Sequence, residues 1–364
     1  MQLSTYELEG SPFEMGLSFG EQCRDEIQRL CRIRLRLARV MARQEGRKFS
    51  DRRILELCQE CLEVTRDFDA AGYEEMRGVA EGSGLSMEEV FALNGLTDLK
   101  DVLSYGQVDE GCSSFMVAGD RSDSGKLLLG QNWDLYTSNK PFVCLVHRKP
   151  SDAPETWCLT TTGCLSLIGV NSEGIAVGNT NLRTSDSRIG VQYLSVLHKA
   201  LSCSSFETAV ETVAASPRSG AHYYYVAGPQ GTAVGIECSA QQHHRFEIRE
   251  GTFVHCNHFL EPELARLQTE EPSESTCARQ LRLTELLNEK QKISVDSLKD
   301  SLSDHANGEN AICRHHGADA VSTNACVILS PETREIHACR GQPHVGKWEV
   351  RMVGEEVNEG VNSE

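Results

Sequence analysis

No apolar run in this 364-residue chain approaches the roughly 20 residues that cross a bilayer as a helix. The longest candidates, 142–146 and 165–170, have the length of β-strands. The opening Met1-Gln2-Leu3-Ser4-Thr5-Tyr6-Glu7 lacks the basic start and apolar core of a secretory signal, so no export leader is expected. Positive charge is in short supply: 36 Lys and Arg against 53 Asp and Glu leave a formal charge of −17, which argues against nucleic acid or a membrane surface as partner. Repeats and low-complexity tracts are absent apart from an acidic tail after Gly354, expected to be disordered. Cysteine, by contrast, is plentiful. The 15 cysteines are odd in number and irregularly spaced, and without a secretion signal they read as reduced thiols in a cytoplasmic protein. Hydrophobic content of 39% and charged content of 24% are those of an ordinary globular chain, long enough for one large domain or two smaller ones.

The first 110 residues read as mainly helical. Apolar residues recur at helical spacing over 14–41 (Ile27, Leu30, Ile33, Leu37, Val40) and over 53–68 (Ile54, Leu57, Leu62). A further helix is expected over 73–81, and Ser86-Met87-Glu88-Glu89 is a capping box that starts another at 90–93. After residue 112 the texture changes to strands and turns. Ser122-Asp123-Ser124-Gly125 divides 115–118 from 126–132 as a hairpin, and Asn171-Ser172-Glu173-Gly174 divides 165–170 from 175–178. Strands are also expected at 142–148, 156–162, 223–227, 233–238, 246–249 and 252–255. A last hairpin, 325–329 with 335–339, turns at Ser330-Pro331-Glu332-Thr333, and 348–353 closes the core. Helices are expected at 191–201, 206–215, 276–288 and 295–302. Blocks of strands alternating with paired helices indicate layered sheets covered by helices.

Within this frame Asp109-Glu110-Gly111-Cys112-Ser113-Ser114-Phe115-Met116-Val117 stands out. A cysteine follows a glycine where polar loop residues give way to an apolar strand. Gly111 has no Cβ, and Cys112 opens a strand that holds its sulfur on a rigid element. If the Gly111–Cys112 bond is cut, Cys112 gains an α-amine beside its thiol. With a pKa of roughly 7.7–8 that amine serves as general base near neutral pH without a histidine.

Other constellations are less specific. Cys58-Gln59-Glu60-Cys61 is a CxxC, but both sulfurs fall on the apolar stripe of a helix and no second pair exists, so packing is expected. His243-His244, His255-x-x-His258 and His315-His316 raise a metalloenzyme alternative, although no HExxH occurs and residues i and i+3 of a strand face opposite sides. Tyr223-Tyr224-Tyr225 offers either a pocket wall, with Tyr224 turned away, or ordinary strand packing.

The combination of Gly111-Cys112-Ser113-Ser114 with Gly130-Gln131-Asn132-Trp133-Asp134 resembles the acyl-CoA:6-aminopenicillanic acid acyltransferase-like family of N-terminal nucleophile hydrolases (peptidase family C45), related to penicillin V acylase and conjugated bile salt hydrolase. The resemblance spans most of the chain. Its early part includes Gly10-Ser11-Pro12, Gly16, Gly20 and Glu75-Met76-Arg77-Gly78-Val79-Ala80-Glu81-Gly82; its later part includes Asn181, His255-Cys256-Asn257-His258-Phe259 and Ile312-Cys313-Arg314-His315. It implies an α+β fold of four layers, αββα. It also implies a precursor that cuts itself before Cys112 into a mainly helical 1–111 segment and a 112–364 chain, both remaining associated in one unit.

Residue by residue, the resemblance makes Cys112 the nucleophile, with Gly111 on the other side of the cleaved bond. Asp134, at the end of the returning strand, would orient the new ammonium, and Asn257 would donate its NH₂ to the oxyanion. Asn181 falls at the rim of the same pocket. Ser114 shares the Cys112 face of the strand and Ser113 does not. An arginine near the sulfur is expected, Arg314 or alternatively Arg340; Arg121 does not match the arginine that bile salt hydrolases carry after their cysteine.

The reaction expected is cleavage or transfer of a small non-peptide N-acyl amine through a Cys112 thioester, with no cofactor and no metal. The alternatives are an acyl-CoA-dependent N-acyltransferase on the same fold, a metal-dependent amidase, and a non-catalytic binding protein. A homo-oligomer is compatible with all of them.

Overall fold

A computed structural model describes residues 2–44, 46, 48–103, 111–315 and 321–354. Asp109, Glu110, His316 and the acidic tail lie outside these residues. The chain begins with a strand, β1 (Ser4–Gly10), which the sequence did not suggest. The reason is its position: β1 is an edge strand in which only Leu8 is fully buried, so it carries almost no alternating pattern. The expected helix 14–41 is two helices, α1 (Pro12–Gln22) and α2 (Arg24–Gln44), broken at Cys23. Ser11 caps α1 and Pro12 opens it, which accounts for the Gly10-Ser11-Pro12 motif. Then come α3 (Asp51–Phe68), α4 (Ala70–Ser83) and α5 (Met87–Val102), the last started by the Ser86 and Glu89 capping box and kinked at Gly95.

The second part of the chain supplies most of the sheets. In order it forms β2 (Cys112–Val117), β3 (Leu128–Tyr136), β4 (Val143–Pro150), β5 (Thr156–Thr161), β6 (Ile168–Asn171) and β7 (Ala176–Asn181). Two helices, α6 (Tyr193–Leu201) and α7 (Phe206–Ala214), precede β8 (His222–Ala227), β9 (Ala233–Cys238), β10 (His243–Ile248) and β11 (Thr252–His255). The short α8 (Pro262–Ala265), α9 (Glu274–Asn288) and α10 (Val295–Leu302) lead to β12 (Val321–Ser330), β13 (Glu335–Arg340) and β14 (Trp348–Met352).

One sheet has eight strands in the order β1-β4-β5-β6-β7-β8-β9-β10, and the other has six in the order β11-β2-β3-β12-β13-β14. They pack face to face, with α1, α6 and α7 against the eight-stranded sheet and α9 and α10 against the six-stranded one. The architecture is therefore α+β in four layers, αββα. Alternation along β2 sorts its side chains between the layers. Cys112 and Met116 join the core between the sheets, while Phe115 and Val117 join Leu283, Leu287, Leu298 and Leu302 under the helices.

The glycines of the N-terminal motifs have a packing reason. A Cβ on Gly20 would sit 2.7 Å from the Val79 carbonyl oxygen, and one on Gly16 or Gly78 would strike the backbone of the facing helix. Thus α1 and α4 lie backbone to backbone. Glu75 of α4 pairs with Arg148 of β4 at 2.8 Å, both buried, and ties this helical pair to the sheet. Strand β1 runs parallel to β4, so the 1–111 segment contributes a strand as well as helices to the unit. All three tyrosines of β8 are buried. Tyr225 donates to Gln131 Oε1 at 2.9 Å and Tyr223 stacks on His255, contacts of ordinary strand packing. Cys58 and Cys61 are buried on α3, where loss of solvent raises both thiols, Cys61 to about 11.

Candidate active site

Strands β2 and β3 pair antiparallel with Cys112 opposite Trp133, and the Asp134 N–H donates to the Gly111 carbonyl at 2.8 Å. Asp134 thus returns to the Gly111–Cys112 bond through hairpin register, as the spacing suggested. Its side chain is directed to Gly111: a Cβ there would lie 3.2 Å from Asp134 Oδ2. The same Cβ would lie 2.7 Å from Arg314 Nη1 and 3.2 Å from Arg279 Nη2. What requires glycine at position 111 is therefore space for two guanidinium groups and a carboxylate.

The Cys112 N–H points the other way, to Asn257 Oδ1 at 2.7 Å. Asn257 Nδ2 donates to the Asn181 carbonyl at 2.9 Å, so in the unbroken chain this carboxamide holds the Cys112 nitrogen and the end of β7 together. The Asn181 Oδ1 is buried without a hydrogen-bond partner. Ser114 shares the Cys112 face, but its hydroxyl donates to the His255 carbonyl at 2.7 Å, a bond that ties β2 to β11. Ser113 faces the helices and meets Arg279 at 3.1 Å.

Arg279 is the residue that sequence reasoning missed. It is wholly buried on α9, and its guanidinium donates to the Cys112 carbonyl, to Ser113 Oγ, and to Asn257 Oδ1 at 3.0 Å. The available signal was its place on the buried stripe of α9 with Ser275, Leu283 and Leu287, where an arginine needs a specific partner. Of the two arginines left open, the structure brings Arg314 to the site. A bulge in β12 between Thr323 and Ala325 aims Thr323 at it; Arg314 N–H donates to Thr323 Oγ1 at 2.9 Å, and Thr323 N–H donates back to the Arg314 carbonyl at 3.0 Å. Arg340 sits in the row Cys112–Trp133–Ala325–Arg340, three strand spacings or about 14 Å from the cysteine.

Burial, reinforced by His255 and Arg279, lowers His258 to about 4, and burial raises the Cys256 thiol although Arg279 opposes it. His255 bonds Glu237 at 2.8 Å while His258 bonds Thr276, so this pair does not converge on one ion. Cys112, Trp133, Asp134, Asn181, Tyr193 and His222 line a cleft beside the cysteine. It adjoins a second cavity through Thr97, Leu135 and Tyr193, which line both. Leu30, Ile33, Leu37 and Tyr136 give that second cavity an apolar wall. His222 is fixed by Asp98 at 2.7 Å and Asn179 at 3.2 Å.

Two face-to-face sheets thus hold a strand-opening thiol between them, with helices on both outer faces. The chain belongs to the acyl-coenzyme A:6-aminopenicillanic acid acyl-transferase family, whose profile matches residues 121–345. That span includes Asp134, Asn181, Asn257, Arg279 and Arg314 and begins after Cys112. The chain is 24% identical over 346 residues, 92% of each chain, to the 40 kDa form of the acyl-coenzyme A:6-aminopenicillanic-acid-acyltransferase of Emericella nidulans. Among solved structures it is similar to a conjugated bile acid hydrolase from Clostridium perfringens (TM-score 0.47, 12% identity, 67% of this chain and 93% of that one). It is also similar to penicillin V acylase from Agrobacterium tumefaciens (TM-score 0.43, 10% identity, 63% of this chain and 83% of that one). Among the described residues no helix is long and apolar enough to cross a membrane.

Proposed function

We propose that the chain cuts itself between Gly111 and Cys112 and then uses the freed Cys112 to cleave or transfer the acyl group of a small N-acyl amine. The observation that carries this reading is the convergence of the Asp134 N–H, Arg279 and Arg314 on one glycine preceding a strand-opening cysteine. In the first step Cys112 Sγ attacks the Gly111 carbonyl carbon. Negative charge develops on an oxygen that already accepts the Asp134 N–H at 2.8 Å, and the Cys112 nitrogen leaves as an amine. Water then hydrolyses the Gly111 thioester, leaving a Gly111 carboxylate and a free thiol. The two fragments stay together because β1 remains paired with β4 and the helices of 12–102 remain packed.

In turnover the α-amine, held by Asn257 Oδ1 and steadied by Asp134, takes the Sγ proton as the sulfur attacks the substrate carbonyl. The Asn257 NH₂ donates to the tetrahedral oxyanion when it leaves the Asn181 carbonyl. The apolar cavity beyond Tyr193 takes an acyl chain, and the leaving amine departs with the proton from Cys112. Water then gives hydrolysis, and an amine acceptor gives transfer. Family membership favours transfer as the second reading, with an acyl-CoA as donor.

Intact mass and N-terminal sequencing of purified protein test the first half: fragments beginning at residues 1 and 112 are expected, and only the unbroken chain from Cys112→Ala. A wild-type chain that stays unbroken yet hydrolyses N-acyl amines refutes the scheme. Acyl-enzyme trapped on Cys112, partitioned between water and added amines, separates hydrolysis from transfer.

A further inference from the structure

His305, Cys313, His315 and His344 come from three separate segments: the end of α10, the approach to β12, and the β13–β14 turn. Each offers one donor atom, and all four donor atoms lie within 4.8 Å of one another. Cys313 is buried while the three histidines are exposed. The imidazole centroids stand 4.7, 4.7 and 5.4 Å apart, and Cys313 Sγ is 3.6 Å from His344 Nδ1. In a tetrahedral zinc site, with Zn–S of about 2.3 Å and Zn–N of about 2.0–2.1 Å, a sulfur–nitrogen edge measures about 3.6 Å and a nitrogen–nitrogen edge about 3.4 Å. One edge is therefore already at ligand spacing. The others close by at most about 1.4 Å, within reach of rotating exposed rings around a buried sulfur.

Hydrogen bonds hold the three segments in place without an ion. The Cys313 N–H donates to the Asp304 carbonyl at 3.0 Å, and Gln342 Nε2 donates to the Arg314 carbonyl at 3.3 Å. We propose that these four side chains bind one zinc ion, and that the ion fastens the segment whose Arg314 lies against Gly111. Three imidazoles and a thiolate suit a borderline-soft ion and do not suit Mg²⁺ or Ca²⁺, which take oxygen ligands. Four protein ligands leave no position for substrate, so the site is structural. On binding, the Cys313 thiol releases one proton and the histidines bind as neutral rings. Cys313 and His315 flank Arg314 in the chain, so coordination at both clamps its backbone from either side. The metal site stands on its own geometry; the consequence for Arg314 rests on the function proposed above.

Untagged full-length protein, stripped with a chelator and reloaded with Zn²⁺ or Co²⁺, tests both parts. One ion per chain is expected. The cobalt form should show intense tetrahedral d–d bands and a thiolate-to-cobalt charge-transfer band that disappears in Cys313→Ser. His305→Ala and His344→Ala, at exposed positions, should each weaken zinc binding at least tenfold with the fold retained by circular dichroism. Substoichiometric metal, or binding unchanged in these variants, overturns the site. Separately, zinc-loaded protein should form the fragment beginning at Cys112 severalfold faster than stripped protein. Equal rates with stoichiometric zinc overturn the link to Arg314. A chain that never cleaves refutes the proposed function while the cobalt spectrum still decides the metal site.

Discussion

Gly111→Ala is the smallest change that tests why a glycine precedes the cysteine. The added carbon would lie 2.7 Å from Arg314 Nη1, about 0.7 Å inside an ordinary contact, and 3.2 Å from both Arg279 Nη2 and Asp134 Oδ2. Arg279 is pinned by Cys112, Ser113 and Asn257, and the closest of the three contacts is the one to Arg314. Crowding of this kind costs about 1–3 kcal/mol in a packed interior. If that cost falls on the geometry of self-cleavage, fragment formation slows by roughly 5- to 150-fold, since about 1.4 kcal/mol is tenfold in rate. The assay is a time course of intact mass on freshly translated protein, beside a thermal melt of Gly111→Ala/Cys112→Ala against Cys112→Ala. Cleavage within about twofold of wild type, with the melt unchanged, would show that the guanidinium contacts with Gly111 have no part in the reaction.

Arg279→Lys keeps the charge but cannot reach Cys112, Ser113 and Asn257 together; with two charge-assisted bonds lost it should destabilise the chain by about 3 kcal/mol in urea titration on the Cys112→Ala background, and it should slow cleavage in the wild-type background. Arg314→Ala should lower fragment formation and kcat/KM at least about tenfold, whereas Arg340→Ala, three strands away, should stay within about twofold. His258 is held near 4 in the fold against about 6.5 unfolded, so the unfolded chain takes up the proton first. Its contribution is fully present above pH 6.5 and lost as pH falls toward 4, and melts at pH 7.5, 5.5 and 4.5 should show a shallower loss in His258→Gln.

What could be read from the sequence was what is local. Two residues apart on a strand means the same face, so Cys112 and Ser114 separate correctly from Ser113. A turn at Ser122 to Gly125 fixes the hairpin register and brings Asp134 back to Gly111. The pairings that were not legible are long-range. Arg279 meets a carbonyl 167 residues earlier, a partner that its place on the buried stripe of α9 does not name. Strand β1 was hidden because an edge position needs only one fully buried side chain. The choice between Arg314 and Arg340 turned on a bulge in β12, a feature with no marker among its residues.

The charges at the bond proposed to be cut explain why so acidic a chain buries arginines there. Asp134 alone, almost wholly out of solvent, would carry an uncompensated charge and push any thiolate or oxyanion beside it toward protonation. Arg279 and Arg314 reverse that: among the described residues around Gly111 two guanidinium groups outweigh one carboxylate, so negative charge forming at Gly111 or Cys112 is stabilised before it appears. Cutting adds one carboxylate at Gly111 and one ammonium at Cys112, which leaves the local sum unchanged while moving its parts to opposite sides. The carboxylate is left with the arginines and the ammonium with the Asn257 oxygen, 2.7 Å from the nitrogen it came from. The arrangement therefore favours the cut state on both sides of the bond without any group having to move across the site. That is the physical reason to expect the break at this bond.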